Sequence, residues 1–196
     1  NVLSAQTTYL YVDVNASGSN NGSSWANAYV DLQDALDAHM SSNVDEILIA
    51  EGTYYPTESP DGSTSNVRDR AFHLEDYDVI ITGGYDASTG TRIGGNTILS
   101  GDIGTANTHT DNCYHVFMTS GLTSATIFSN LVVQDGYANG SSSISFNSYT
   151  FTRNDGGGFF NRYSSPTLKN IVITNNYTTD DGAGMMNNGS CDVKMA

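Results

Sequence analysis

The side chains able to do chemistry in this chain are mostly oxygen donors. It has 21 Asp and Glu, seven Lys and Arg and four His, for a formal net charge of −14. Asp13, Asn15, Ser17 and Asn21 stand at the first, third, fifth and ninth places of a loop whose sixth residue is Gly18. Calcium loops of twelve residues use that spacing, with hard oxygen ligands and a glycine at the sharp turn. The twelfth residue is Ser24 rather than Glu, and no helix precedes the loop. A plain solvated loop is therefore the other reading, and calcium is the cofactor expected if the loop binds metal. Tyr137, Tyr149 and Tyr177 lie in polar stretches. Such rings can stack on sugars with their hydroxyls turned outward, or can pack at chain corners.

Catalytic patterns are sparse. Asp180-Asp181 is the one acid pair with the look of a hydrolase couple, which needs carboxylates converging on a substrate. Asp181 aligns with Asp155 one repeat earlier, and each precedes Gly, so a turn role accounts for it. His39, His73, His109 and His115 show no metal-ligand spacing, and His73 and His115 adjoin apolar strand residues, so both are expected to be structural. No Gly-x-Ser-x-Gly motif and no phosphate-binding loop occurs. The acidic balance argues against nucleic acid and anionic membranes, which need a basic surface. No stretch approaches ~18 apolar residues, so no membrane span is expected.

The elements that must hold these residues come from a repeat. Asp155-Gly156-Gly157-Gly158-Phe159-Phe160-Asn161 returns as Asp181-Gly182-Ala183-Gly184-Met185-Met186-Asn187, so the repeat offset is 181 − 155 = 26. A period of that size marks a repeat architecture. Short β-branched runs bounded by turn residues begin at Glu46, Asp78, Asn96, Asn130 and Asn170, with gaps from 96 − 78 = 18 up to 170 − 130 = 40. Hairpin turns cannot fill such gaps, so parallel stacking fits better than a meander. Asn130, Asn161, Asn170 and Asn187 fall at comparable corners, where stacked side chains can form hydrogen-bonded ladders. One helix is expected, from Asp31 to Met40, with Leu32, Ala35, Leu36 and His39 on one face and Asp31 as its cap. It would cover the open end of the stack, with Trp25 and Tyr29 at its base. The segment from Gly136 to Asn154 reads as a polar excursion. Cys113 and Cys191 are separated by 191 − 113 = 78, three periods of 26. Strands three rungs apart are out of disulfide range, so free thiols are expected over a bridge.

Both ends carry a reading. Asn1 to Ala5 looks like a signal-peptide remnant or a plain tail. Val193-Lys194-Met195-Ala196 stops inside a repeat without a cap, which suggests a piece of a longer protein or an end that pairs with another subunit.

A family resemblance joins these features. Tyr11-Val12-Asp13, Gly22-Ser23-Ser24-Trp25-Ala26-Asn27-Ala28-Tyr29, Leu32-Gln33-Asp34-Ala35-Leu36 and Asp45 through Tyr55 resemble the opening of right-handed parallel β-helix proteins of the pectate-lyase-like superfamily. Ile81 through Tyr85, Thr97 through Gly104 and Asp111 through Phe117 look like secreted bacterial surface proteins described as adhesin-like or polymorphic outer-membrane-like. The resemblance implies export and a first strand, capping helix and first rung. Activity is left open, because one fold hosts many functions. Lyases of that superfamily use Lys or Arg, often with calcium. Here the seven basic residues are scattered, and a −14 chain repels a polyanion unless calcium bridges the two.

The fold expected is all-β: a right-handed parallel β-helix, a solenoid with a short N-terminal capping α-helix. Residues 6–196 would form one domain, either cut short at its C-terminus or ending in a rung that pairs with another subunit. The function expected is adhesion or glycan binding at a cell surface or in the secreted space, without catalysis of its own. The alternatives are a polysaccharide lyase or hydrolase, and a structural subunit that assembles end to end through its C-terminal rung.

Overall fold

The computed structural model describes residues 7–42 and 44–196, and the expected N-terminal remnant at 1–5 lies outside them. Strands dominate, as the β-branched and aromatic runs require. In chain order they begin with β1 (Tyr9–Val12), β2 (Glu46–Ala50), β3 (Gly52–Tyr54), β4 (Phe72–Glu75), β5 (Ile80–Asp86) and β6 (Thr91–Arg92). Next come β7 (Thr97–Ser100), β8 (Phe117–Ser120), β9 (Ile127–Gln134), β10 (Tyr137–Ala138), β11 (Ser143–Phe146) and β12 (Tyr149–Thr152). The last are β13 (Phe159–Arg162), β14 (Thr167–Thr174), β15 (Tyr177–Thr178), β16 (Met185–Asn188) and β17 (Lys194–Met195). The α-helix is α1 (Leu32–Ser42). No helix among the described residues is long and apolar enough to cross a membrane.

Most pairings are parallel. One sheet runs β4-β8-β13-β16, and a second follows β1-β2-β5-β9-β14-β17. Strand β3 pairs with β7, and β7 with the second half of β9. The antiparallel exceptions are β5 with β6 and the hairpin β11–β12. The offset of the sequence repeat is the register of one ladder step, with Phe159 opposite Met185 and Asn161 opposite Asn187. Other steps are longer, 159 − 117 = 42 from β8 to β13 and 167 − 127 = 40 from β9 to β14, so no single period runs through the chain.

The repeat residues have local reasons. Gly156 and Gly182 take φ of +62° and +69°, where a side chain is strained. A Cβ on Gly157 would meet the Tyr177 carbonyl oxygen at 2.6 Å, so the backbones approach only without one. Asn130 and Asn170 bend β9 and β14 with φ of +55° and +49°, which Asn tolerates better than most residues. The expected asparagine ladders form: Asn170 Nδ2 donates to Asn130 Oδ1 at 2.7 Å, and Asn161 Nδ2 to Asn187 Oδ1 at 2.8 Å.

The main core holds Phe72, Phe117 and Phe159 in register across β4, β8 and β13, with Phe128 edge-on to Phe117 at 4.9 Å. Burying each ring stabilises by roughly 1.5–3 kcal/mol. The other face of that sheet carries a second apolar cluster, with Met118 and Phe160 beneath Ile144, Phe146 and Phe151. This corrects the reading of 136–154 as a polar excursion. Residues 143–152 form a hairpin whose alternate side chains pack inward, turned by Asn147 and Ser148 at φ of +46° and +62°. Arg153 ties it to Asp69 by a 2.5 Å ion pair.

Helix α1 begins where expected, with Asp31 Oδ1 accepting from the Gln33 amide at 2.8 Å. Leu32, Ala35 and Leu36 join the main core. Gln33 acts as a substitute strand on the free edge of β4: its Oε1 accepts from His73 N at 3.0 Å and its Nε2 donates to His73 O at 3.2 Å. The free edge of β1 is covered by the loop after it, with Tyr29 N donating to Tyr11 O and Asp13 N to Tyr29 O, both at 2.9 Å. Trp25 packs on Tyr11 at 5.0 Å and Tyr85 at 5.5 Å. Both cysteines are free, as expected.

Candidate functional site

Two of the three tyrosines meet. Tyr137 on β10 and Tyr177 on β15 are register partners in a parallel pair. Their rings stack at 4.6 Å between centroids and 18° between planes. His109 continues the column, 6.3 Å from Tyr137 and also at 18°. Tyr177 is 45 % exposed, while Tyr137 is half-buried behind it. The backbone holding Tyr177 is fixed from both sides, since Tyr177 N donates to Gly136 O at 2.9 Å and Gly157 packs against its carbonyl.

Polar groups border the column. Arg68 lies with its guanidinium 4.1 Å over the Tyr114 ring and 5.9 Å from Tyr137. Arg68 Nε donates to Asn112 O at 2.6 Å, and its Nη2 donates to Tyr137 O at 2.6 Å and to Asn139 Oδ1 at 2.8 Å. The arginine is thereby immobilised, and exposed Asn139 presents an amide beside the rings. Tyr149 lies elsewhere: it flanks the hairpin turn and packs on Tyr163 at 4.9 Å. Sequence reasoning missed His109, Arg68 and Asn139. The signal available was the separation of Tyr137 from Tyr177, which equals the β9–β14 offset and marks them as ladder neighbours.

The loop expected to hold calcium is only partly gathered. Asp13, Asn15 and Ser17 line one open groove with Trp25 and Ser88. Asn21 does not line it; its Oδ1 accepts from Ser23 N at 3.1 Å and Ser23 Oγ at 2.7 Å. Asp13 Oδ1 accepts from Asn15 N at 2.9 Å, so two of the expected ligands hold turns. Asp180 and Asp181 lie in the repeat corner, where Asp181 N donates to Asp155 Oδ1 at 3.0 Å and Asn154 Nδ2 to Asp180 Oδ2 at 3.0 Å.

The histidines expected to be structural are buried. Burial holds His115 down to about 4, against a raising hydrogen bond with the Gly156 carbonyl. His73 and His39 are lowered by the same cause. One grouping went unforeseen: Asp37 on α1, Glu58 in the loop after β3 and His73 on β4 bring one ligand atom each within 4.8 Å of the others. Burial, then Asp37 through its charge and a side-chain hydrogen bond, then the charges of Asp31 and Asp34, raise the Glu58 carboxyl. No family model, curated protein or solved structure matches this chain.

Proposed function

We propose that this protein is an exported, surface-associated module that binds neutral glycans, without catalysis of its own. The observation that carries the reading is the His109–Tyr137–Tyr177 column ending in an exposed ring, with the Asn139 amide beside it. A flat ring facing water with a fixed polar rim suits the apolar face and hydroxyls of a sugar. The charge of −14 disfavours a polyanionic glycan. We further infer that the parallel ladders are coils of a right-handed β-helix, the architecture implied by the resemblance to the pectate-lyase-like superfamily. In that architecture Tyr137 and Tyr177 occupy equivalent places on successive coils.

The test is a glycan array followed by calorimetry on the hits. Tyr177→Ala is expected to weaken binding at least tenfold, since stacking on an aromatic ring and its burial contribute about 1.5 kcal/mol or more. Tyr149→Ala is expected to bind as the parent does. Equal affinity for parent and Tyr177→Ala would sink the proposal, as would the lack of any glycan ligand. A second reading is end-to-end assembly. Met195 is 70 % exposed on β17, and β16 and β17 each pair on one side among the described residues. Light scattering across a concentration series separates it: growth supports assembly, and a constant monomer mass rules it out.

A further inference from the structure

Asp37, Glu58 and His73 come from three segments, helix α1, the loop between β3 and β4, and β4 itself. Their wide and irregular spacing along the chain hides the group in the sequence. Both carboxylates are exposed, while His73 is only 9 % exposed.

A proton count at His73 singles out one nitrogen. Nδ1 lies 3.1 Å from the Ala71 carbonyl oxygen, which can only accept, so Nδ1 carries the ring proton. Nε2 of the neutral ring is then a bare lone pair. Its neighbour is Gln33 Nε2 at 3.3 Å. That amide has two protons for three acceptors: Asp37 Oδ1 at 2.8 Å takes one, and His73 O at 3.2 Å shares the other with Nε2. Nε2 is therefore left with a share of one long N–H bond, although it is buried and grouped with two carboxylates. No salt bridge joins His73 to either carboxylate among the described residues.

We propose that Asp37, Glu58 and His73 bind one borderline divalent transition cation, such as Zn2+, across the seam of α1, the 55–66 loop and β4. A cation would give Nε2 a stronger partner than the shared Gln33 N–H and would relieve the repulsion between the two carboxylates. The surroundings match a metal site beyond the ligands. A ligating histidine commonly donates its other nitrogen to a backbone carbonyl, as Nδ1 does to Ala71, and a ligating carboxylate is itself hydrogen-bonded, as Asp37 is by Gln33. One imidazole and two carboxylates favour zinc, cobalt or manganese over calcium, which prefers an all-oxygen shell. Ligand atoms around tetrahedral zinc lie about 3.4 Å apart at bond lengths near 2.1 Å, a spacing that exposed carboxylates within 4.8 Å of the His73 ring nitrogen can reach by side-chain rotation. Three protein ligands leave a place for water. Asp31 and Asp34 on the same helix end add negative potential without joining the group.

The experiment titrates the full chain with Zn2+ against a chromophoric chelator, with Co2+ absorption as an optical probe. One metal per chain is expected. Asp37→Asn and Glu58→Gln are each expected to weaken it at least tenfold, and the exposed control Asp192→Asn to leave it unchanged. Both test residues are exposed, so folding is expected to persist, and circular dichroism checks it. Nitrogen-detected NMR is expected to move the His73 Nε2 resonance on adding zinc. Three results would each overturn the proposal: no saturable binding, binding unchanged in both variants, or a stationary His73 Nε2. Displacement of zinc by an equal concentration of calcium would overturn it too. None of these outcomes depends on glycan binding.

Discussion

Asn161 is fully buried between two neighbours and uses its amide on both sides. Its Oδ1 accepts from Thr119 Oγ1 at 2.6 Å while its Nδ2 donates to Asn187. Asn161→Ala strands the Thr119 hydroxyl in the interior, at a cost of about 1–3 kcal/mol. Urea unfolding should show a lower midpoint with an unchanged slope; an unchanged midpoint would mean that Thr119 has another partner. Gly156 tests the backbone in the same way. At φ of +62° an added Cβ lies 2.9 Å from the Phe159 carbonyl oxygen, whereas Gly62 has φ of +70° and open space. Gly62→Ala is expected to cost the left-handed strain alone, about 1–2 kcal/mol, and Gly156→Ala clearly more. Equal losses would show that the contact relaxes freely.

At the level of elements, the recurring problem is the unpaired strand edge. Helix α1 answers it on β4 through one side chain, Gln33, which matches a backbone donor and a backbone acceptor at once. Gln33→Leu keeps the size but leaves both His73 groups unpaired, at about 1–3 kcal/mol for each. Hydrogen exchange at the His73 amide is expected to quicken markedly, and continued slow exchange would assign the protection to burial rather than to Gln33. The hairpin β11–β12 works by apolar cover instead. Phe151 is fully buried against Phe160 at 4.8 Å, so Phe151→Ala is expected to cost about 3–5 kcal/mol in thermal or urea unfolding.

For the whole molecule, pH acts on groups that folding has buried. His115 is held near 4 in the folded chain, against 6.5 for an ordinary histidine. Below pH 6.5 the unfolded chain takes up a proton that the folded chain refuses, so stability is full above that value and falls until about pH 4. The loss from His115 is about 3 kcal/mol. His39 and His73 act in the same direction. Burial pushes Asp78 upward, but hydrogen bonds from Thr123 and Thr126 outweigh it and hold its carboxyl below the ordinary value. Its contribution is therefore lost at still lower pH. Urea midpoints across pH 4 to 7 should show a decline that is shallower in His115→Asn. Parallel curves for parent and variant would remove His115 from the account.

What the sequence determined by itself is local. β-Branched runs specified strands, Asp31 specified a helix start, and glycine and asparagine specified corners, because each of these follows from a residue's own backbone preferences and immediate neighbours. The asparagine ladders were legible because a sequence repeat brings like residues together wherever parallel strands stack in register. The hairpin at 143–152 was also written locally, in the alternation of Ile144, Phe146 and Phe151, but serine and asparagine obscured it. Tertiary structure alone decided the sites. Tyr177 meets Tyr137 and not Tyr149 because β14 pairs with β9 in a register set by crossover lengths rather than by any propensity. His73 is grouped with two carboxylates only because α1 lies along the β4 edge and the loop after β3 brings Glu58 to it. Register and packing are sums over distant contacts, and no window of sequence contains them.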